Sequence, residues 1–410
     1  MIVPFNRATP FSVALLCLLS AAPAARAEQS LNLEQALAAA LDSNPELAAV
    51  RQEIGIAEGE RRQAGLLPNP ELSWEREDTR RDTSTTTVTL SQPLELGAKR
   101  NARVEVAQAG QAIARLELER QTNGLRADVT QAFHAAVRAQ TAVELAEQSR
   151  ALTERGLRVV QGRVAAGQSS PVEETRGQVQ LAQAEAQLGR AESEQRVAWQ
   201  ALARLTGNAR ADFTQLEGAA LSPGPAPDAE RLLAKVEQTV EWRLAAAQLE
   251  RGEASLGSEK AQRIPNLTVS VGSQYSREDR ERINVVGLSM PLPLFDRNQG
   301  NVLSAARRAD QARDLRNAVE LRLRSDTRSA LSQWAMAMAE VDAYDRTILP
   351  SARQAVDTAT RGFERGKFAF LDVLDAQRTL IEARSQYLDA LATASDARAQ
   401  VERMYGELDR

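Results

Sequence analysis

The residues best placed to do chemistry are two aspartates, Asp372 and Asp375, in the run Phe370-Leu371-Asp372-Val373-Leu374-Asp375-Ala376-Gln377. A three-residue step on a helix puts both carboxylates on one face. Such a pair at a narrow mouth, repeated by symmetry, favours cations and repels anions. The bland reading is a helix first turn whose acids complement the macrodipole. His134 is the only histidine and sits in the helical run Gln131-Ala132-Phe133-His134-Ala135-Ala136-Val137, which suits packing or solvation better than catalysis. Met336 and Met338 are two apart, so on a helix they diverge and cannot share a soft metal ion. No Ser/His/Asp set, phosphate-cradling glycine loop or paired-histidine zinc motif is present. The sequence therefore assigns no catalytic, cofactor-binding or metal residue, and the chain reads as a non-enzyme.

Composition points to long helices. Aromatics make up 4% of the 410 residues, while Ala, Leu, Gln, Glu and Arg dominate. A net charge of −4 gives no electrostatic case for nucleic acid. The start is different in kind: Arg7, an apolar run from Phe11 to Ala22, then Ala25-Arg26-Ala27 before Glu28. This pattern predicts a secretory signal peptide over residues 1–27, with a retained membrane anchor as the alternative. Cleavage there removes two arginines and no acid, taking the charge to −6, and removes Cys17, the only cysteine. The remainder has no thiols for disulfides, so burial or oligomerisation must supply its stability. Beyond residue 27 no apolar run is long enough for a membrane helix, so an envelope protein of this kind enters a membrane only as strands.

The elements that position the aspartates are punctuated by proline and glycine. A short amphipathic helix over 32–43 ends at Asn44-Pro45, and a second runs from Pro45 to Ala64. Leu72 and Trp74 then alternate with Ser73 and Glu75, and after a charged turn Thr87, Thr89 and Ser91 alternate with Val88 and Leu90, which predicts a β-hairpin at about 69–93. A proline-free stretch from about Ala98 predicts a long helix with a seam at Leu125, Val129, Ala132 and Ala136. Gly162, Gly167, Ser169, Ser170 and Pro171 mark a turn, and a second long helix follows to about Thr206. Residues 208–228, with Gly218, Pro223, Gly224, Pro225 and Pro227, read as a linker.

The pattern then starts again. Pro68-Asn69 recurs as Pro265-Asn266, Leu90-Ser91-Gln92-Pro93-Leu94 as Leu288-Ser289-Met290-Pro291-Leu292, and Gly167 as Gly366, at offsets of 197, 198 and 199 residues. This is a tandem repeat: 28–207 first, and 229–410 second. The second copy is expected to hold a helix over 229–262, a hairpin at about 266–291 with Leu267, Val269 and Val271 on one side, and a long helix pair at about 301–405. Four strands per chain cannot close a bacterial outer-membrane barrel, which needs at least about eight. A homotrimer would supply twelve strands and a pore, although other multiples remain open. A soluble periplasmic coiled-coil scaffold is the competing reading, and it leaves strand edges exposed.

The runs PNPELSWEREDTR, LSQPLELGAKR, VAAGQSSPVEE and FERGKFAFLDVLDAQ resemble the TolC-type outer-membrane efflux proteins, especially the CzcC-like branch linked to heavy-metal export. The resemblance runs from about Leu31 to Tyr405. It implies a mainly α chain with membrane β-structure: a trimeric 12-stranded barrel in the outer membrane, continuing into a long periplasmic α-helical barrel. It implies a passive exit duct in a tripartite system, working with a periplasmic membrane-fusion adaptor and an inner-membrane RND pump, without a cofactor. Drugs or a secreted protein are the alternative cargo. The turns Gly167-Gln168-Ser169 and Gly366-Lys367-Phe368 become the adaptor-docking tips, and Asp372 and Asp375 the entrance constriction. Phe368 stands where some relatives carry a basic residue, a departure from the pattern.

Overall fold

The computed structural model describes residues 30–408, except positions 79, 81, 218–222, 366 and 369. The expected signal peptide and Gly366 lie outside the described residues. The chain begins with a two-residue strand β1 (Ser30–Leu31), then α1 (Leu33–Ser43) and α2 (Pro45–Ala64). Asn32 caps α1 in a capping box with Gln35. Asn44 does two jobs: its Oδ1 accepts from Leu47 N at 3.0 Å, and its Nδ2 donates to Leu205 O at 3.1 Å. Pro45 fills the first helical position, where an N–H has no partner anyway.

Strands β2 (Glu71–Glu77) and β3 (Thr85–Leu94) form the first hairpin. Helix α3 (Lys99–Ala165) follows; its 67 residues span about 100 Å at 1.5 Å per residue. Nothing in it interrupts the backbone ladder, since it lacks proline. Its buried residues Leu125, Val129, Phe133 and Ala136 recur at three- and four-residue steps and face α1 and α4. Helix α4 (Pro171–Leu205) returns antiparallel along α3.

The linker region is more ordered than its prolines suggest. Gln215–Leu216 forms a strand β4 that pairs parallel with β1, and Leu216 is buried beside α3. The single helix expected over 229–262 is three pieces: α5 (Ala229–Leu233), a 3₁₀ turn (Val236–Gln238) and α6 (Val240–Ala261). Thr239 causes the break, because its hydroxyl takes the Trp242 N–H and starts a new helix.

Strands β5 (Leu267–Ser276) and β6 (Glu281–Ser289) form the second hairpin. Helix α7 (Gln299–Ala343) leads through a π-helical turn (Tyr344–Ile348) into α8 (Leu349–Glu364), and α9 (Phe370–Tyr405) completes the chain. The π turn lies just ahead of Pro350, whose ring nitrogen cannot donate and whose bulk disfavours regular α-geometry there.

Two large cores hold the helices, with a smaller one where Val341 and Tyr344 meet Ala390 and Leu391 of α9. One joins α1, α2, α3 and α4 around Val129, Phe133 and Leu202. The other joins α5, α7 and α9 around Trp334, Val401 and Leu233. Both are rich in alanine, which lets long rods approach closely. Trp334 is 3% exposed and donates its indole N–H to Gly224 O at 3.0 Å. Met338 packs at the edge of this core while Met336 points outward, as their spacing requires. No helix among the described residues is long and apolar enough to cross a membrane.

Candidate functional site

The four strands of the hairpins make one antiparallel sheet in the order β2-β3-β5-β6. The register aligns them in rows. Leu72, Leu90, Val271 and Val286 form one row across all four strands. Trp74, Val88, Ser273 and Asn284 form the next toward the turns, and Arg76, Thr86, Tyr275 and Arg282 the one beyond it. Successive strand residues alternate between faces, so these rows share a face, with Leu288 and Leu94 on it as well. Its apolar side chains are strongly exposed: Leu72 by 71%, Val286 by 75% and Leu288 by 69%. A sheet that bares large apolar side chains toward water would be costly.

The opposite face is polar and small. Ser91 pairs with Ser270, and Ser270 with Gly287; Ser73, Thr89 and Gly272 form another row. A Cβ at Gly272 would come within 2.6 Å of Val88 O, so only glycine allows that close approach. Ile283 and Val285 near the β6 edge, with Pro93 on β3, are the apolar departures on this side. The register also separates charge. Every acidic residue within these strands, Glu71, Glu75, Glu77 and Glu281, lies on the polar face, whereas Arg76 and Arg282 lie on the apolar one. Sequence alternation places Glu71, Ser73, Glu75 and Glu77 together within β2; the strand register is what adds Glu281.

At the far end of the long helices the two turns differ. Gly167 adopts φ +72° and closes α3: Gln168 N donates to Arg163 O at 2.8 Å, and Gly167 N to Val164 O at 2.9 Å. Ser170 then caps α4, accepting from Val172 N at 3.3 Å. Nothing lies within 4 Å of where a Gly167 Cβ would stand, so the turn is bare. Gln168 and Ser169 are placed on this surface. In the second turn, Lys367 N donates to Gly362 O at 2.8 Å. The Phe368 ring lies on Gly362 of α8, where any Cβ would collide with it. The motif pointed to Phe368 and missed its seat, Gly362.

Asp372 and Asp375 occupy the first turns of α9 and are exposed. Asp375 pairs with Arg378 at 3.7 Å, and Arg378 with Glu382 at 3.4 Å. Arg378 follows Asp375 on the same helix face and was not singled out by the motif. His134 lies elsewhere, half-buried on α3 beside Phe133 with ring centroids 6.1 Å apart. Burial, with the positive Arg398, pushes its pKa below the ordinary histidine value. Among the described residues, no three His, Cys, Asp or Glu side chains gather as a metal cluster.

A family profile for the outer membrane efflux protein matches residues 36–208 and 240–407. The chain belongs to the outer membrane efflux protein family. It is 40% identical over 378 residues to the cobalt-zinc-cadmium resistance protein CzcC of Cupriavidus metallidurans, covering 92% of this chain and 90% of that protein. It is 27% identical over 346 residues to the nickel-cobalt-cadmium resistance protein NccC of Alcaligenes xylosoxydans xylosoxydans, covering 80% and 78%. The crystal structure of the outer membrane protein VceC from Vibrio cholerae shares the fold, with a TM-score of 0.76 at 19% identity over 91% of this chain and 96% of that one. This efflux protein therefore resides in the outer membrane with a periplasmic extension, which argues against the soluble scaffold. Its family consists of efflux proteins rather than enzymes.

Proposed function

We propose that this efflux protein is the passive exit duct of a tripartite RND-type system and carries divalent heavy-metal cations. The carrying observation is the sheet: an exposed apolar face on one side, and on the other a small polar face that holds all the strand carboxylates. Rolled into a barrel, the apolar face meets lipid and the acidic face lines the pore. Three chains close the barrel with twelve strands, β6 of one pairing with β2 of the next. Closure removes the two open edges that one chain leaves. The chain is read as a tandem duplication whose halves each give one hairpin and one long helix pair.

The metal cargo follows from the likeness to the cobalt-zinc-cadmium resistance protein together with the acidic lining. An aqueous path lined by carboxylates concentrates cations and repels anions. In the same trimer, Asp372 and Asp375 supply six carboxylates at the periplasmic entrance, with Arg378 partly neutralising Asp375. The bare turn at Gly167, Gln168 and Ser169, and the turn of Gly366, Lys367 and Phe368, receive the membrane-fusion adaptor, which links the duct to its pump. The energy comes from that pump.

Single-channel recording tests the reading. The trimer in planar bilayers should be cation-selective, and Asp372→Asn with Asp375→Asn should move the reversal potential toward zero. A wild-type channel that prefers anions rejects the acidic lining. Unchanged selectivity in the double variant rejects the entrance assignment.

A further inference from the structure

The charge separation across the sheet has an outward half. Arg76 and Arg282 lie in one row of the apolar face, with Thr86 and Tyr275 between them. Trp74 stands in the next row inward. All four of Arg76, Arg282, Trp74 and Tyr275 are exposed. Neither arginine forms an ion pair among the described residues, and Arg76 donates only to the Ser84 hydroxyl, at 3.1 Å. Asp78, two residues after Arg76 at the end of β2, is already committed: it accepts from Arg80 Nε at 2.8 Å and from Thr83. The four glutamates of the strands point to the other face and cannot neutralise the pair.

Depth decides what meets these cations. The arginine row lies four residues along the strands from the central Leu72–Leu90–Val271–Val286 row. At about 3.4 Å per residue and about 45° of tilt, that is about 10 Å along the membrane normal. The apolar half-thickness of such a barrel is about 12 Å. A guanidinium on its long stem then snorkels to the headgroup level, while Trp74, one row inward, occupies the interface beneath. Each chain presents its own row of Arg76, Thr86, Tyr275 and Arg282, so the trimer carries three outward arginine rows.

We propose that Arg76 and Arg282 form a binding site on the outer barrel wall for the phosphate groups of phosphorylated glycolipid in the outer leaflet. This rests on the barrel reading above. Guanidinium presents a planar fork that matches phosphate in a bidentate manner, and it is weakly hydrated, so it keeps its contacts at a membrane surface. Tyr275, between the two, offers a hydroxyl at the same level.

The test uses full-length trimer in nanodiscs of phosphatidylcholine with or without lipid A. The readouts are lipid A retained per trimer by native mass spectrometry and the apparent affinity by titration. Wild type should retain lipid A in preference to its dephosphorylated form, and inorganic phosphate should compete only weakly. Arg76→Gln with Arg282→Gln should weaken binding about thirtyfold, at about fivefold for each arginine near a charged surface. Arg76→Lys with Arg282→Lys should keep most of it. Equal retention of dephosphorylated lipid, full displacement by inorganic phosphate, or unchanged binding in the glutamine variant each overturns the proposal while leaving the barrel intact. A wild-type chain missing from the outer-membrane fraction overturns the barrel reading, and this proposal with it.

Discussion

Replacing Leu90 by arginine probes the orientation of the sheet. Leu90 is 46% exposed, in the row with Leu72, Val271 and Val286. Strands β3 and β5 are each ten residues long. With a rise of about 3.4 Å and a tilt of about 45°, each covers about 24 Å of membrane normal, close to the ~25 Å apolar band of such barrels. Leu90 and Val271 therefore sit near the midplane. An arginine there costs about 2–4 kcal/mol per chain, so the folding equilibrium constant falls by about thirty- to a thousandfold per chain. Thr89 is the matched control: it lies next in sequence, on the polar face, opposite Ser73 and beside Gly272. Thr89→Arg should assemble, since the pore is wet and Gly272 leaves room. The assay is the yield of heat-modifiable trimer in the outer membrane, followed by urea unfolding in liposomes. Normal assembly of Leu90→Arg with collapse of Thr89→Arg would mean that the faces are reversed, and the lipid and pore assignments would fall together.

Three further outcomes test the helical region. Trp334→Ala should lower the unfolding free energy by about 3–5 kcal/mol, because it empties a buried site and orphans Gly224 O; Trp334→Phe should cost about 1–2 kcal/mol, and equal losses in chemical denaturation would refute the packing account. Asn44→Ala should cost about 1–2 kcal/mol in the same assay by removing the α2 cap and the tie to Leu205, and a neutral result would show that the tie carries no stability. His134 has a folded pKa below its unfolded value, so the stability from its neutral form is complete above about pH 6.5 and is lost as pH falls through the folded value. Wild type should thus lose more Tm than His134→Asn between pH 7 and pH 5, and parallel profiles would contradict the burial argument.

Much of the architecture was legible because its signals are local. Proline-free, alanine-rich runs specify α3 and α4, and the alternation of Leu72, Trp74, Val88 and Leu90 specifies strands. The three-piece segment at 229–261 was not legible, because Thr239 is a common residue whose capping role appears only when its hydroxyl finds Trp242 N. The strand pair of β1 and β4 was hidden for another reason: its partners lie far apart in sequence, and each is only two residues long. At the tips, the GKFAFLDVLDAQ wording gave Phe368, Asp372 and Asp375; Arg378, three residues after Asp375, follows from the same helix spacing but lies outside that wording, and Gly362 under the ring emerges only in three dimensions. The separation of glutamates from arginines across the sheet lies between these cases. Alternation gives it within a strand, but the β3–β5 register is needed to extend it across the sheet.

The measurement closest to the central claim is zinc, cobalt and cadmium handling in cells lacking this protein. Deletion should raise cell-associated metal and lower tolerance to these ions, with little change for dyes and detergents. Re-expression should restore both, and a variant with bulky residues at Gly167 and Gly366 should fail to restore them while still forming trimers. Unaltered metal content after deletion, or a loss of tolerance confined to dyes and detergents, would contradict the account of this duct as a heavy-metal exit.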